Sequence, residues 1–240
     1  MIVVVGQPSY RGPSDMAPGR AVGSAAALAR AAAAAGAAVQ LVGRIGNDAT
    51  GDAVLLDLAR AGVGHAAILR DAGRPTPSRP GASDDDPGAG SKEGSSLPGA
   101  DQDPDAALGD QRPEQIPDSA TADAIGLEPA DVELGLRYLT GYGVIVVAEP
   151  LSEGTLAIVA EAADFAAAQL IVLATPGTAR PTFDPGIAVT LLEAPVEDPD
   201  EQFAALVGRY AAALDAGVAA DDAFREALGG AGWEPVSPST

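Results

Sequence analysis

The sequence predicts one α/β domain built on a mostly parallel sheet, and two observations support this fold class. Short runs of β-branched residues alternate with alanine-rich stretches of helical composition, a pattern typical of parallel strands joined by helical crossovers. The 240 residues suffice for one such domain and are too few for two large ones. Apolar residues make up 47% of the chain but aromatic residues only 4%, so the core is expected to consist of small side chains in closely packed elements.

The first part of the chain is predicted to alternate strands and helices. Ile2–Val5 has the apolar, β-branched composition of a buried strand, and it ends at Gly6. Residues 22–35 are predicted to form a helix because alanine is the strongest helix former and Gly36 stops it. A further helix is expected over residues 52–61, where apolar residues share one face. The remaining predicted elements of this part are strands at 39–42 and 65–69.

The last part of the chain returns to the same alternation. A helix is expected over residues 131–139, which follow Pro129. Residues 153–168 are expected to form a helix with Ser152 as its N-cap, because a serine hydroxyl can accept a hydrogen bond from the first turn. The other predicted elements are strands at 144–148, 170–173 and 187–192, and helices at 200–214 and 220–228.

Residues 71–124 differ from the rest of the chain in composition. They contain 12 Asp and Glu against 4 Lys and Arg, together with 8 prolines and 7 glycines, and they show almost no apolar periodicity. Ordering such a segment costs about 1–2 kcal/mol of backbone entropy per residue, with little apolar burial to offset it. The sequence therefore predicts a single domain over residues 1–240 that contains a disordered acidic insert at 71–124.

The overall composition excludes several classes of function. A formal net charge of −20 repels nucleic acids and anionic membranes, so neither is expected as a partner. The chain has no cysteine, and His65 is its only histidine, which excludes disulfides, thiolate metal sites and a zinc site with two histidine ligands. No signal peptide or membrane span is apparent, so we predict a cytoplasmic protein whose partner is a small molecule or another protein.

Four segments in a fixed order carry a resemblance to a known family. They are the helix opening Pro-Gly-Arg-Ala-Val-Gly-Ser at 18–24, the turn Val-Gly-Arg-Ile-Gly-Asn-Asp-Ala-Thr-Gly at 42–51, the strand–helix–strand unit at 144–173, and the two helices at 203–226. In this order they resemble the ribokinase/PfkB family of carbohydrate and nucleoside kinases, and the resemblance as a whole extends over about three quarters of the chain, leaving out the insert. The resemblance implies a three-layer ribokinase-like fold, here lacking the β lid.

The resemblance also implies a reaction. Members of this family transfer the γ-phosphoryl group of ATP to a hydroxyl of a sugar or nucleoside. An aspartate at a helix start acts as the base, and the glycines before it present backbone N–H groups to the developing charge. If this chain is active, the cofactors implied are ATP and Mg²⁺; otherwise none is expected.

The family motifs can be placed residue by residue on this chain. Glu201 lies at the position of the catalytic base, and Asp198 and Asp200 lie at the glycine positions of the anion hole. In the sugar-binding segment Gly19 matches the family pattern, while Arg20 replaces the second glycine and Ser24 replaces the asparagine. The site residues implied are therefore Glu201 for catalysis, Asp198 and Asp200 for the cofactor, and Gly19, Arg20 and Ser24 for the substrate.

These positions depart from the family pattern in ways that weaken the chemistry. Both anion-hole glycines are acidic, and Pro199 between them has no N–H to donate. Asn47, the only asparagine, already belongs to the glycine-rich turn, so no Asn-x-x-Glu segment exists to organise Mg²⁺. The acidic cluster from 193 to 201 lacks a recognisable ligand spacing, and no metal site is predicted. Residues 71–124 contain too few β-branched residues to form a lid.

Two functions are consistent with this pattern. In the first, the chain is a non-catalytic member of the family that binds a ligand or a protein partner. The altered anion hole, the missing Asn-x-x-Glu segment and the missing lid favour this function. In the second, the chain is an active ATP-dependent kinase in which Glu201 replaces the aspartate base. The acidic residues before Phe203 also have a purely structural interpretation, because carboxylates cap a helix N-terminus and favour its dipole. Arg20 either binds an anion, fills the space of the sugar, or lies in solvent.

Overall fold

Every predicted strand and helix outside the acidic insert is present in the computed structural model, which describes residues 1–14, 17–79, 126–198 and 200–230. The strands are β1 (Ile2–Val5), β2 (Ser9–Arg11), β3 (Arg20–Val22), β4 (Val39–Gly46), β5 (Val63–Asp71), β6 (Ser78–Arg79), β7 (Val144–Val147), β8 (Gln169–Ala174) and β9 (Val189–Glu193). The helices are α1 (Ser24–Ala34), α2 (Ala49–Arg60), α3 (Pro129–Arg137), α4 (Glu153–Ala166), α5 (Gln202–Asp215) and α6 (Ala220–Gly230).

The main sheet has six strands in the order β5-β4-β1-β7-β8-β9, and all of its pairs are parallel. From β1 the chain moves outward through β4 and β5, and then returns to the other side of β1 to continue through β7, β8 and β9. The direction of winding therefore reverses between β1 and β7. In open parallel sheets, ligands bind outside the carboxyl ends of the strands at such a reversal.

Helices cover both faces of this sheet, which makes three layers. Alternate residues of β1 point to opposite faces: Ile2 and Val4 belong to the core with α1, α2, α5 and α6, whereas Val3 and Val5 belong to the core with α3 and α4. Because both faces are covered, β1 is buried along its whole length. The predicted α/β fold class is confirmed. None of the described helices is long and apolar enough to cross a membrane.

Some helices and strands begin or end at other residues than predicted, because neighbouring strands pair with the residues at their ends. Helix α1 begins at Ser24 rather than 22 because residues 20–22 pair with β2 as strand β3. Strand β4 extends to Gly46 because β5 pairs with it over that whole length. Ser152 caps α4 as predicted, and its hydroxyl accepts a hydrogen bond from the backbone N–H of Thr155 at 3.2 Å.

A second, three-stranded sheet in the order β3-β2-β6 is not predicted by the sequence. Its strands are two or three residues long, too short for an alternating pattern to show. Strand β6 also corrects the start of the predicted insert, because residues 71–79 are held in place: the Thr76 hydroxyl is bonded to Gly46 and Asp48. The rest of that prediction, residues 80–124, lies outside the described residues.

Candidate functional site

The reversal between β1 and β7 places one carboxylate beside the chain that leaves β1. Gln7 follows β1 and Glu149 follows β7, and the backbone N–H of Gln7 donates to Oε1 of Glu149 at 2.7 Å. The sequence analysis missed both residues. The available signal was a glutamate immediately after the apolar run at 144–148, because residues just beyond a buried parallel strand lie at the sheet edge where ligands bind.

Glu149 is electrostatically unusual. Burial raises its pKa, and the hydrogen bond from the Gln7 N–H opposes this effect without cancelling it, so the pKa lies above the ordinary glutamate value. The Gln7 side chain is fixed by donation from Nε2 to the carbonyl oxygen of Arg44, while its Oε1 is buried without a partner among the described residues. Glu149 is thus a half-buried carboxyl group with one oxygen bonded to the Gln7 N–H, whereas the Gln7 amide oxygen is closed off from solvent.

Glu201, the predicted base, lies between two arginines. It forms the N-cap of α5 in the left-handed region, with φ of 55°. Arg20 Nη2 lies 3.0 Å from its Oε1 and Arg30 Nη2 lies 3.0 Å from its Oε2. Arg30 also donates to the carbonyl oxygen of Ala21 at 2.6 Å, and its Nη1 lies 3.7 Å from Asp57 Oδ2. The structure therefore brings Glu201 and Arg20 together with Arg30 in a partly exposed ion cluster.

Asp198 occupies the N-terminus of α5. Its Oδ1 accepts a hydrogen bond from the N–H of Phe203 at 3.1 Å, and its Oδ2 accepts one from the N–H of Ala204 at 3.0 Å. These N–H groups are in the first turn of the helix, where they could otherwise donate hydrogen bonds to a bound phosphate. Asp200, the other acidic anion-hole position, is exposed. The geometry agrees with the structural interpretation in which a carboxylate caps the helix.

The two remaining substrate-segment residues have local roles in the geometry. A β-carbon at Gly19 would lie 2.0 Å from the Tyr10 hydroxyl, so a larger residue there would require the Tyr10 side chain to move. Ser24 is the first residue of α1 and is exposed, and no hydrogen bond joins its side chain to another described residue. Neither residue lies in the ion cluster around Glu201.

The glycine-rich turn at 42–51 is organised by Asp48. Its Oδ1 accepts hydrogen bonds from the N–H of Gly51 at 2.7 Å and the hydroxyl of Thr76 at 2.7 Å, and its Oδ2 accepts one from the N–H of Thr76 at 2.8 Å. Burial alone would raise the pKa of Asp48, but these hydrogen bonds and the Arg70 charge outweigh burial and lower it. Asp48 is therefore the N-cap of α2 and also holds Thr76 against the turn.

Within residues 1–14, 17–79, 126–198 and 200–230, no group of three or more His, Asp or Glu side chains has the geometry to hold a metal ion. Of the carboxylates near α5, Glu201 is instead bonded to arginines and Asp198 to backbone N–H groups. If Mg²⁺ enters with ATP, the described residues offer it single carboxylates rather than a chelating set.

The ion cluster around Glu201 is expected to stabilise the fold measurably. We expect a double-mutant cycle with Arg30→Met and Glu201→Gln to give a coupling free energy of about 1–2 kcal/mol, because both side chains are largely buried. The matched pair Arg180→Met and Glu193→Gln joins exposed side chains at a similar distance, and its coupling is expected to stay below about 0.5 kcal/mol. Chemical denaturation measures both; equal coupling in the two pairs contradicts the prediction.

No protein-family model and no curated protein matches this sequence. Solved structures do match its fold. The protein Sa239 has a TM-score of 0.62 at 13% identity, and the match covers 98% of this chain and 95% of that one. The ribokinase of Arabidopsis thaliana, solved with ribose and ATP, has a TM-score of 0.57 at 16% identity, over 96% and 90%. An E. coli protein assigned as ribokinase II, solved with ATP and Mg²⁺, has a TM-score of 0.57 at 14% identity, over 94% and 89%.

These neighbours define the class of fold. The chain has the three-layer fold of the ribokinases, with a six-stranded parallel sheet and helices on both faces. The resemblance to ribokinase/PfkB carbohydrate kinases predicted from the sequence is confirmed as a likeness of fold. With only 13–16% of residues identical, function has to be argued from the site itself.

Proposed function

We propose that this chain is a non-catalytic protein with the ribokinase fold, which binds a ligand or a partner without transferring a phosphoryl group. One observation carries the proposal: the carboxylates before α5, which the resemblance places at the phosphoryl-transfer site, are already bonded to the protein's own donors. Asp198 takes the backbone donors of α5, and Glu201 takes the guanidinium groups of Arg20 and Arg30.

A triphosphate that binds at the start of α5 would have to displace the Asp198 carboxylate. Phosphoryl transfer depends on free backbone donors and cations at the developing charge. Here each hydrogen bond to the Asp198 carboxylate is charge-assisted and contributes about 1.5–3 kcal/mol, so an incoming phosphate gains little by replacing it. The carboxylate would then remain near the phosphate as a like charge in a protein of net charge −20.

The crevice between Gln7 and Glu149 supports the binding half of the proposal. It lies at the winding reversal of the sheet, and its hydrogen-bonding groups are not consumed by the ion cluster. One oxygen of the half-buried Glu149 has no partner among the described residues, and it could accept a hydrogen bond from a hydroxyl group of a small neutral molecule such as a sugar or nucleoside.

The alternative is an active ATP-dependent kinase that phosphorylates a sugar or nucleoside hydroxyl. The fold neighbours solved with ATP, Mg²⁺ and ribose favour it. In this alternative Glu201 is the base, and it must leave Arg20 and Arg30 before it can accept a proton from a substrate hydroxyl.

Calorimetric titration with ATP and Mg²⁺ tests the proposal. We expect no binding tighter than about 1 mM, equivalent to about −4 kcal/mol. Replacing residues 198–201 by Gly-Ala-Gly-Asp removes the internal carboxylate from the α5 donors and is expected to raise the affinity for ATP at least tenfold. Binding tighter than 1 mM by the unaltered chain, with sugar-dependent formation of ADP and a sugar phosphate that Glu201→Ala abolishes, contradicts the proposal and establishes the kinase.

A further inference from the structure

The connection between β8 and β9 lacks the helix that usually joins parallel strands. Residues 175–188 are all described, and they form turns and extended chain without helix. Parallel neighbours are normally joined by a crossover helix that covers the sheet. Beside this connection lies an open groove of about 1110 Å³, bounded by α4 and the residues from Thr175 to Ile187.

One wall of the groove is a continuous stripe of α4. The lining residues Glu153, Leu156, Ala157, Ala160, Glu161 and Asp164 recur at helical spacing. At 1.5 Å per residue the stripe runs for about 16 Å, roughly three turns. The opposite wall contributes the half-buried Phe183 and Ile187, which belong to the same apolar core as Leu156. A groove of this length and apolar content matches a segment of peptide chain better than a compact small molecule.

The charges around the groove have one predominant sign. Glu153, Glu161, Asp164 and Asp184 line it and are exposed, and none of them forms an ion pair within the described part of the chain. The cation Arg180, which also lines it, is paired with Glu193 at 2.9 Å. The groove therefore combines an apolar floor with an acidic rim, and a complementary occupant carries apolar residues flanked by lysine or arginine.

We propose that this groove binds an amphipathic, basic helix of a partner protein. The helix takes the place of the missing crossover: its apolar face lies on Leu156, Ala160 and Phe183, and its basic residues meet the rim carboxylates. The proposal is independent of the phosphoryl-transfer corner, since none of the residues of the Asp198 and Glu201 clusters lines the groove.

The test uses the full chain and a synthetic probe, a fluorescent 15-residue helical peptide of leucine, lysine and alanine with all leucines on one face. We expect micromolar binding by fluorescence anisotropy at 150 mM salt, and at least tenfold weaker binding when serine replaces the leucines. The double variant Glu161→Lys/Asp164→Lys is expected to weaken binding at least tenfold. Asp221→Lys/Glu226→Lys on α6 makes the same change of net charge away from the groove and is expected to change affinity less than twofold.

A second pair of variants leaves the charge unchanged. Ala157→Trp places a large side chain in the groove and is expected to weaken peptide binding at least tenfold, whereas Ala166→Trp, also exposed on α4 but outside the groove, is expected to leave it unchanged. Circular dichroism confirms that all variants are folded. No binding of the peptide, equal losses in the groove and control variants, or equally tight binding of spermine in place of the peptide overturns the proposal.

Discussion

Replacement of Gly208 by leucine is expected to lower the free energy of unfolding by about 3 kcal/mol or more. Gly208 lies within α5, where α5 crosses α1. A β-carbon added there would lie 2.5 Å from the β-carbon of Ala31 and 2.8 Å from the backbone nitrogen of Ala32. Backbone atoms of a buried helix cannot turn aside as a flexible side chain can, so the two helices would have to separate and expose the core between them.

The control for this prediction is a helical glycine in open space. Gly229 lies near the end of α6, and no heavy atom of the described residues comes within 4 Å of an added β-carbon. Gly229→Ala is expected to leave the free energy of unfolding unchanged or to raise it by about 0.5 kcal/mol, because alanine restricts the unfolded chain. Denaturant titration of both variants measures the contrast. A Gly208→Leu protein within about 1 kcal/mol of the parent would show that α1 and α5 do not depend on close contact.

Replacement of Asp48 by alanine is expected to cost about 4 kcal/mol or more at pH 7. The change removes the N-cap of α2, worth about 1 kcal/mol, and two charge-assisted hydrogen bonds from Thr76. Thr76 is buried, so its N–H loses a partner without gaining water. Since Thr76 anchors the segment that leads to β6, amide hydrogen exchange at residues 74–79 is expected to accelerate together with the loss of stability.

The stabilisation that Asp48 provides is expected to decrease at low pH. The pKa of Asp48 is lower in the folded protein than its ordinary value of 3.8. Stabilisation by a depressed carboxylate is complete above the unfolded pKa and is lost as the pH falls through the folded pKa. The difference in unfolding free energy between the parent and Asp48→Ala is therefore expected to be constant from pH 7 to about pH 5 and to shrink below about pH 4.

Asp52 provides the matched control on the same helix. It lies in the first turn of α2, but its side chain is 68% exposed, and Arg70 is its one ion-pair partner among the described residues. Asp52→Ala is expected to cost less than about 1 kcal/mol. If Asp52→Ala and Asp48→Ala destabilise the protein equally, or if the Asp48 difference grows on acidification, the capping network does not have the role described here.

The order and type of the larger elements could be predicted from the sequence because the signals are local. The apolar run of Ile2–Val5, the alanine-rich stretch before Gly36 and the cap at Ser152 each act over a few residues, and each appears in the structure within a few residues of its predicted bounds. The small side chains also predicted close packing, which the contact of Gly208 with Ala31 illustrates.

The candidate site could be predicted only in part. Matching motifs singled out Glu201 and Arg20. The contacts of Glu201, however, reach across 181 positions to Arg20 and 171 positions to Arg30. The bond between Gln7 and Glu149 spans 142 positions. Such contacts leave no periodicity or cap in the sequence, because they depend on how the sheet places distant loops at one edge.

The sequence alone determined the α/β class, the strand and helix order and the carboxylates before α5, since propensity, periodicity and charge act through near neighbours. Only the tertiary structure decided that Asp198 faces inward to α5, that Glu201 is held by two arginines, and that residues 9–11, 20–22 and 78–79 form one small sheet. These features follow from packing between distant segments, where burial and electrostatic pairing select one geometry among many that the local sequence permits.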